Sequence, residues 1–302
     1  MAIRRPARTV LALAAGVALL AGAARAAGEG GDLEAVRRRG VLRHLGIPYA
    51  QFVTGSGDGF DVELVRRFAR RLRVEYRYVE SDWPLVVGDL TGRQVSPQHT
   101  EPATARRVAV RGDVIATGMT VLPWRTRSVA FSSPVFPTQV WVVARADSPV
   151  APILPTGRLQ DDIAAVRRRL QGRTVLGVPE TCLDPGLYEL EAAGARSLLR
   201  RLRLDEVAPA LIQGEGDMAL LDVADAMMAM QRYPGKVKVI GPVSGTQSMA
   251  VGFRRDAPRL RQEFEDFLAE IRRDGTYDKL IATYFPEAPV YFPDFFASGG
   301  GS

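Results

Sequence analysis

Residues 112–136 read GDVIATGMTVLPWRTRSVAFSSPVF, and this stretch decides the fold. Val114-Ile115-Ala116 is a short apolar run that suits a buried strand. Thr117-Gly118-Met119-Thr120 is turn-like, and Leu122-Pro123-Trp124-Arg125 reads as a short helix opening. The chain leaves through Val129-Ala130-Phe131-Ser132. A buried strand that ends in a glycine turn and enters a helix gathers free backbone N–H groups at one point, which attracts anions. Arg125 follows within that helix, where its planar fork of donors can grip a carboxylate through two bonds. A lone arginine is more often a surface residue paired with a nearby acid. The pattern around it therefore carries the reading.

Working outward, strands and helices alternate along nearly the whole chain. The clearest helix spans 60–72, with Phe60, Leu64, Phe68 and Leu72 on one face and Arg66, Arg67, Arg70 and Arg71 opposite, a solvated outer face rather than a membrane surface. Before it, 32–39 reads as a helix, Val41–Ile47 as a strand and Gly55–Gly59 as a hairpin-type turn with no phosphate-loop Lys-Ser/Thr after it. Val74–Val79 reads as a strand, and the polar, aperiodic 93–109 as an inserted loop. After the focal stretch come a strand at Val140–Arg145 and a Pro-rich linker at 147–157, which marks a domain boundary. Further elements are a helix at 159–170, a strand at 172–178, a helix at 186–195, an ambiguous 198–203 and a helix at 205–213. Then follow a strand at 216–222 ending in Asp222, a helix at 223–231, strands at 235–240 and 248–253, and helices at 258–274 and 277–284 before an aromatic tail. This order predicts α/β architecture with largely parallel sheets, whose ligands sit at strand carboxyl ends near a topological switch point.

The chain has 302 residues, 46% of them hydrophobic and 25% charged, enough for a real core and about two domains. Residues 1–26 read as a secretory signal peptide: Arg4, Arg5 and Arg8 precede an apolar run from Val10 to Ala21, and Ala24-Arg25-Ala26 fits a cleavage site. Losing the four arginines of that segment takes the formal charge from +6 to +2, which gives no case for nucleic acid. Cys182 is the only cysteine, so no internal disulfide forms, and with His44 and His99 as the only histidines no metal site or cofactor is expected. No second apolar run is long enough to span a bilayer.

The order of the pieces resembles the family 3 extracellular solute-binding proteins, periplasmic receptors of amino-acid transporters, over about 36–287. Gly59-Phe60-Asp61-Val62-Glu63-Leu64 matches that family's GFDvdL helix opening. Trp83, Gly112-Asp113, Gly118-Met119-Thr120, Arg125 and Phe131-Ser132 follow in its order. Gly172-Arg173-Thr174-Val175 with Thr181, Gly216-Asp217 with Asp222, and Asp274-Gly275-Thr276-Tyr277 with Tyr284-Phe285 complete it.

The resemblance implies two Rossmann-like lobes joined by two hinge strands, the type II periplasmic binding protein fold, with lobe 1 at 32–142 plus 243–297 and lobe 2 at 143–242. It implies a monomer that captures a small carboxylate-bearing solute, an amino acid or related compound, for an ABC transporter permease. Arg125 would bind the ligand carboxylate, helped by Gly118 and Thr120, and Asp222 would take an ammonium. Phe52 and Trp83 would flank the side chain, with Thr181 on the second lobe. The sequence departs from the family at Ile47-Pro48-Tyr49, Leu122, Glu180, Cys182 and Leu221, changes that touch the amino-acid end of the site and leave the carboxylate clamp standing. The alternatives are a periplasmic cyclohexadienyl dehydratase-like enzyme, with Glu180 or Asp184 as its acid although that family's position falls on Leu183, and a sensing or accessory module.

Overall fold

In the computed structural model, residues 32–97, 101 and 104–297 are described. The signal peptide expected at 1–26 and His99 lie outside them. Two five-stranded sheets form on one plan. The first has the order Glu75–Glu80, Val41–Gly46, Val114–Ile115, Gly252–Arg254, Val129–Phe131. Its first three strands are parallel, and Gly252–Arg254 is antiparallel to both neighbours. The second has the order Arg196–Leu199, Thr174–Gly177, Met218–Asp222, Val140–Arg145, Val237–Pro242. Again three strands are parallel and the fourth, Val140–Arg145, is antiparallel to both sides.

The chain crosses between sheets twice, and the crossings lie side by side. Phe136–Thr138 pairs antiparallel with Gln247–Met249. Just beyond, the Val140 N–H donates to Ser244 Oγ at 2.8 Å. Two adjacent backbone strands, paired to each other, thus make the hinge connection between the lobes.

The helix Phe60–Leu72 forms where its periodicity places it. Its buried face of Phe60, Leu64, Phe68 and Leu72 covers the first sheet, each side chain contributing about 1.5–3 kcal/mol. Arg71, on the outer face, pairs with Glu263 and Glu270 of the helix Pro258–Arg273. The arginine row is thus a surface laced to its neighbour.

Several local expectations change. The helix expected at 186–195 is two 3₁₀ turns, Pro185–Tyr188 and Leu190–Ala193, because Glu189 between them takes a left-handed φ of 52°. The strand expected at 248–253 is two strands, one pairing in the hinge and one in the first sheet. The 93–109 insertion contains a small hairpin, Arg93–Gln94 with Arg106–Arg107. The glycine turn at 55–59 feeds the helix at Phe60 rather than a second hairpin strand. Val140–Arg145 belongs wholly to the second sheet, and the Pro-rich 147–157 packs there too, with the Ile153 N–H donating to Ile240 O. Sheet membership therefore changes at the paired crossings, ahead of the Pro-rich stretch.

Each sheet has a switch point. In the first, the chain leaves Val41–Gly46 toward one side and returns at Val114–Ile115 on the other. Thr117 Oγ1 ties the two strand ends, donating to Ile47 O at 2.8 Å and accepting from Ile47 N at 3.1 Å. In the second, the corresponding pair is Thr174–Gly177 and Met218–Asp222. Ligands of α/β sheets bind at such points.

Candidate functional site

The segments after the four switch-point strands meet. From the first lobe come Tyr49 and the turn Gly118–Thr120, with Arg125 on the four-residue helix Pro123–Thr126. From the second come Glu180–Cys182 and Asp222.

Arg125 is 1% exposed. Its Nη1 donates to Thr120 O at 2.9 Å and its Nη2 to Glu180 O at 3.1 Å, the second bond crossing between lobes. Nε has no acceptor. The guanidinium carbon lies 5.2 Å from the ring centroids of both Trp83 and Trp124. Burial lowers its pKa to about 10, and among the described residues no carboxylate pairs with it. A buried guanidinium bonded only to neutral carbonyls and aromatic faces carries a desolvation cost that no countercharge among the described residues offsets.

Asp222 ends its strand and caps the next helix: Oδ1 accepts from the Asp225 N–H at 3.0 Å. Oδ2 accepts from the Tyr49 hydroxyl, and Cys182 Sγ lies 4.0 Å away. Burial raises the Asp222 carboxyl to about 7, against the pull of the Asp225 and Ala224 N–H groups. Asp225, also buried, is pushed well above the usual carboxylate range by burial and by Asp222.

Gly118 has φ 57°, and its N–H donates to Asp61 Oδ2 at 2.6 Å. A Cβ there would meet Phe52 Cδ2 and Tyr49 Cε1, each at 2.6 Å, so only glycine fits. Thr120 forms a bridge with Met249 of the hinge, and its side chain faces Cys182. Thr181 Oγ1 donates to Val178 O and accepts from the Leu183 N–H, which holds the turn that presents Glu180.

The structure thus gathers Arg125, Gly118, Thr120, Trp83, Asp222 and Thr181 around the junction. Phe52 stands behind this group, its ring against Gly118 and Tyr49. It is 0% exposed and packs with Phe60, Phe136 and Phe285 in the first lobe's aromatic core. Tyr49, three residues earlier, stands beside Asp222, its ring stacked on Phe52 at 5.3 Å. The tight reversal between Tyr49 and Val53 sets this exchange. Reading Ile47-Pro48-Tyr49 as the end of a strand followed by an aromatic was the available signal. Asp61 and Asp225 also escaped notice as site residues, because a helix-opening acid is usually solvated.

Glu180 has φ 66°, and its carboxylate pairs with Arg201 at 3.2 Å. Asp184 accepts from the Gly186 N–H. His44 lies in the first sheet, bonded to the Tyr76 hydroxyl and Ala116 O, and burial lowers its pKa to about 4. Among the described residues no cluster of three or more ligating side chains is placed for a metal. None of their helices is long and apolar enough to cross a membrane. Beside the junction lies a cavity of about 620 Å³ walled by Pro48, Trp83, Val178 and Leu202 together with charged residues such as Asp82 and Arg201.

Residues 91–287 match the profile of the bacterial extracellular solute-binding proteins, family 3. The chain is 27% identical over 251 residues to the lysine/arginine/ornithine-binding periplasmic protein of Escherichia coli (strain K12), covering 78% of this chain and 84% of that protein. It is similar in fold to an ancestral arginine-binding protein bound to arginine, with a TM-score of 0.65 and 21% identity over 82% of this chain and 99% of that one. It is likewise similar to the ancestral amino acid-binding protein AncCDT-1, a precursor of cyclohexadienyl dehydratase, with a TM-score of 0.64 and 21% identity over 84% of this chain and 98% of that one.

Proposed function

The chain belongs to the bacterial extracellular solute-binding proteins, family 3, and from that premise we propose that it captures a small carboxylate-bearing solute, an amino acid or related compound, between its lobes for an ABC transporter. One observation carries the reading. Arg125 is buried at the lobe junction, bonded to one carbonyl from each lobe, with a free Nε and no carboxylate partner among the described residues. An incoming carboxylate would supply the missing countercharge and bridge the lobes, so closure would depend on the ligand. The lobes would meet at the paired crossings Phe136–Thr138 and Gln247–Met249.

Binding without chemistry is supported at the two acids that a dehydratase-like reading would use. Glu180 is paired with Arg201, and Asp184 is spent on a turn. The relative from Escherichia coli is periplasmic. A monomer exported to the same compartment by a cleavable signal peptide, handing its solute to a permease, completes the proposal.

The test is a thermal-shift screen over amino acids and other small carboxylates, prephenate included, repeated with Arg125→Ala. A ligand at 100 times its dissociation constant stabilises by about 2.7 kcal/mol. The expected result is a shift for at least one carboxylate that disappears in the variant. A carboxylate shift of full size in Arg125→Ala, or no shift with any carboxylate, refutes the clamp. Turnover of prephenate refutes the non-enzymatic reading.

A further inference from the structure

The two poles of the clamp are in different states. At Arg125 the partners are two neutral carbonyls, and one N–H is left over. At Asp222 both oxygens are already engaged by neutral donors, Asp225 N–H on one side and the Tyr49 hydroxyl on the other. Tyr49 is not a casual visitor there. It is 2% exposed, its N–H donates to Val53 O at 2.9 Å, and its ring is stacked on Phe52 and set edge-on to Trp83 at 6.1 Å.

Resting on the reading above, we propose that Tyr49 determines specificity: its hydroxyl fills the place at Asp222 that a ligand ammonium would need, so the site prefers carboxylates without an α-ammonium group, such as 2-oxo and 2-hydroxy acids, over zwitterionic amino acids.

Charge balance supports this. A monoanion neutralises Arg125 and asks nothing of Asp222. A zwitterion also brings a cation, which must be matched by an ionised Asp222 and must first displace Tyr49. Its hydroxyl would then need another partner away from water, and a buried unpaired hydroxyl is costly. Burial works against the ionised form of Asp222 as well, and Asp225 lies alongside. Trp83, which lies over Arg125, also lines a cavity of about 620 Å³ whose other walls mix apolar and charged side chains, Val178 and Leu202 beside Asp82, Arg201 and Asp205.

The experiment is calorimetric titration of the protein at pH 7.5 with matched pairs: leucine against 4-methyl-2-oxopentanoate and 2-hydroxy-4-methylpentanoate, phenylalanine against phenylpyruvate, and arginine against its 2-oxo analogue. The native protein is expected to bind an acid without the α-ammonium about tenfold or more tightly than its amino acid, the equivalent of about 1.4 kcal/mol. Tyr49→Phe keeps the ring and removes the hydroxyl, and there the preference should shrink about tenfold or invert. An amino acid that binds the native protein as well as its partner acid overturns the proposal and leaves carboxylate capture intact. An unchanged ratio in Tyr49→Phe also overturns it. If no carboxylate binds, the capture reading fails and takes this proposal with it. The native ratio decides the matter even if the variant does not fold.

Discussion

The Gly118 N–H donates to Asp61 Oδ2 at 2.6 Å, which ties the start of the helix Phe60–Leu72 to the turn that leads to Arg125. Asp61 is 1% exposed, and its other oxygen has no partner. Removing the carboxylate leaves a buried N–H unpaired, which costs about 1–3 kcal/mol. Asp61→Ala should therefore lower stability by that amount in urea unfolding and weaken carboxylate binding, although it touches no ligand. Unchanged unfolding midpoint and affinity would show that the contact does nothing.

Burial raises Asp61 to about 7, and the native state then holds a proton that the unfolded state has released. Stability from this group is complete below its unfolded pKa and is lost as pH rises through about 7. Asp222 acts in the same direction. His44 acts oppositely but below its unfolded value, since burial lowers it to about 4. From pH 6.5 to 8 stability should thus fall by roughly 1 kcal/mol per acid. Chemical unfolding across that interval should give a flatter slope for Asp61→Asn than for the native protein.

Arg125→Met should separate affinity from stability. It removes a buried charge that pairs with no carboxylate among the described residues, and the desolvation of such a charge costs several kcal/mol. The melting temperature of the ligand-free variant should equal or exceed that of the native protein, while every ligand-induced shift vanishes. A large loss of stability without ligand would mean that the bonds to Thr120 O and Glu180 O outweigh the desolvation of the charge.

Phe52 and Trp83 should part company. Phe52→Leu opens the aromatic cluster around Phe60, Phe136 and Phe285 and should cost on the order of 1–3 kcal/mol of stability. Trp83→Leu removes a ring that lines the cavity and lies over Arg125, so its main effect should be a weaker ligand shift. Titration and denaturation of both variants check this, and equal loss of affinity in both would place Phe52 at the ligand.

Glu180 holds a left-handed φ of 66° that costs a side-chain-bearing residue about 1–2 kcal/mol. Its exposed partner Arg201 returns little. Glu180→Gly should stabilise the protein by about 0.5–1 kcal/mol while its carbonyl still accepts from Arg125. A lower unfolding midpoint in the variant would mean that the Arg201 pair is worth more than surface pairs usually are.

Much of this was legible in the sequence for physical reasons. Phe60–Leu72 has one apolar face at one period, and Val140–Arg145 is short and bounded by turn residues, so local pattern and tertiary burial agree. The strand across 248–253 misled because Ala250 and Val251 are as buried as their neighbours, and the break there comes from a change of pairing partner. As candidates, Arg125 and Asp222 drew attention because one lies in the helix after a strand and turn and the other ends a strand. Tyr49 and Phe52 are both aromatic and three residues apart, and only the folded reversal at Val53 decides which one reaches Asp222.

The two indoles that flank Arg125 have an optical consequence. Of three tryptophans in the chain, Trp83 and Trp124 each lie 5.2 Å from that guanidinium carbon. The third, Trp141, donates through Nε1 to Gln139 beside the interlobe crossing. If the proposed carboxylate binds at Arg125, it would change the local field on both flanking rings. The protein's intrinsic emission should then report occupancy without a label, and its quantum yield could be followed in a stopped-flow cell without attaching a dye.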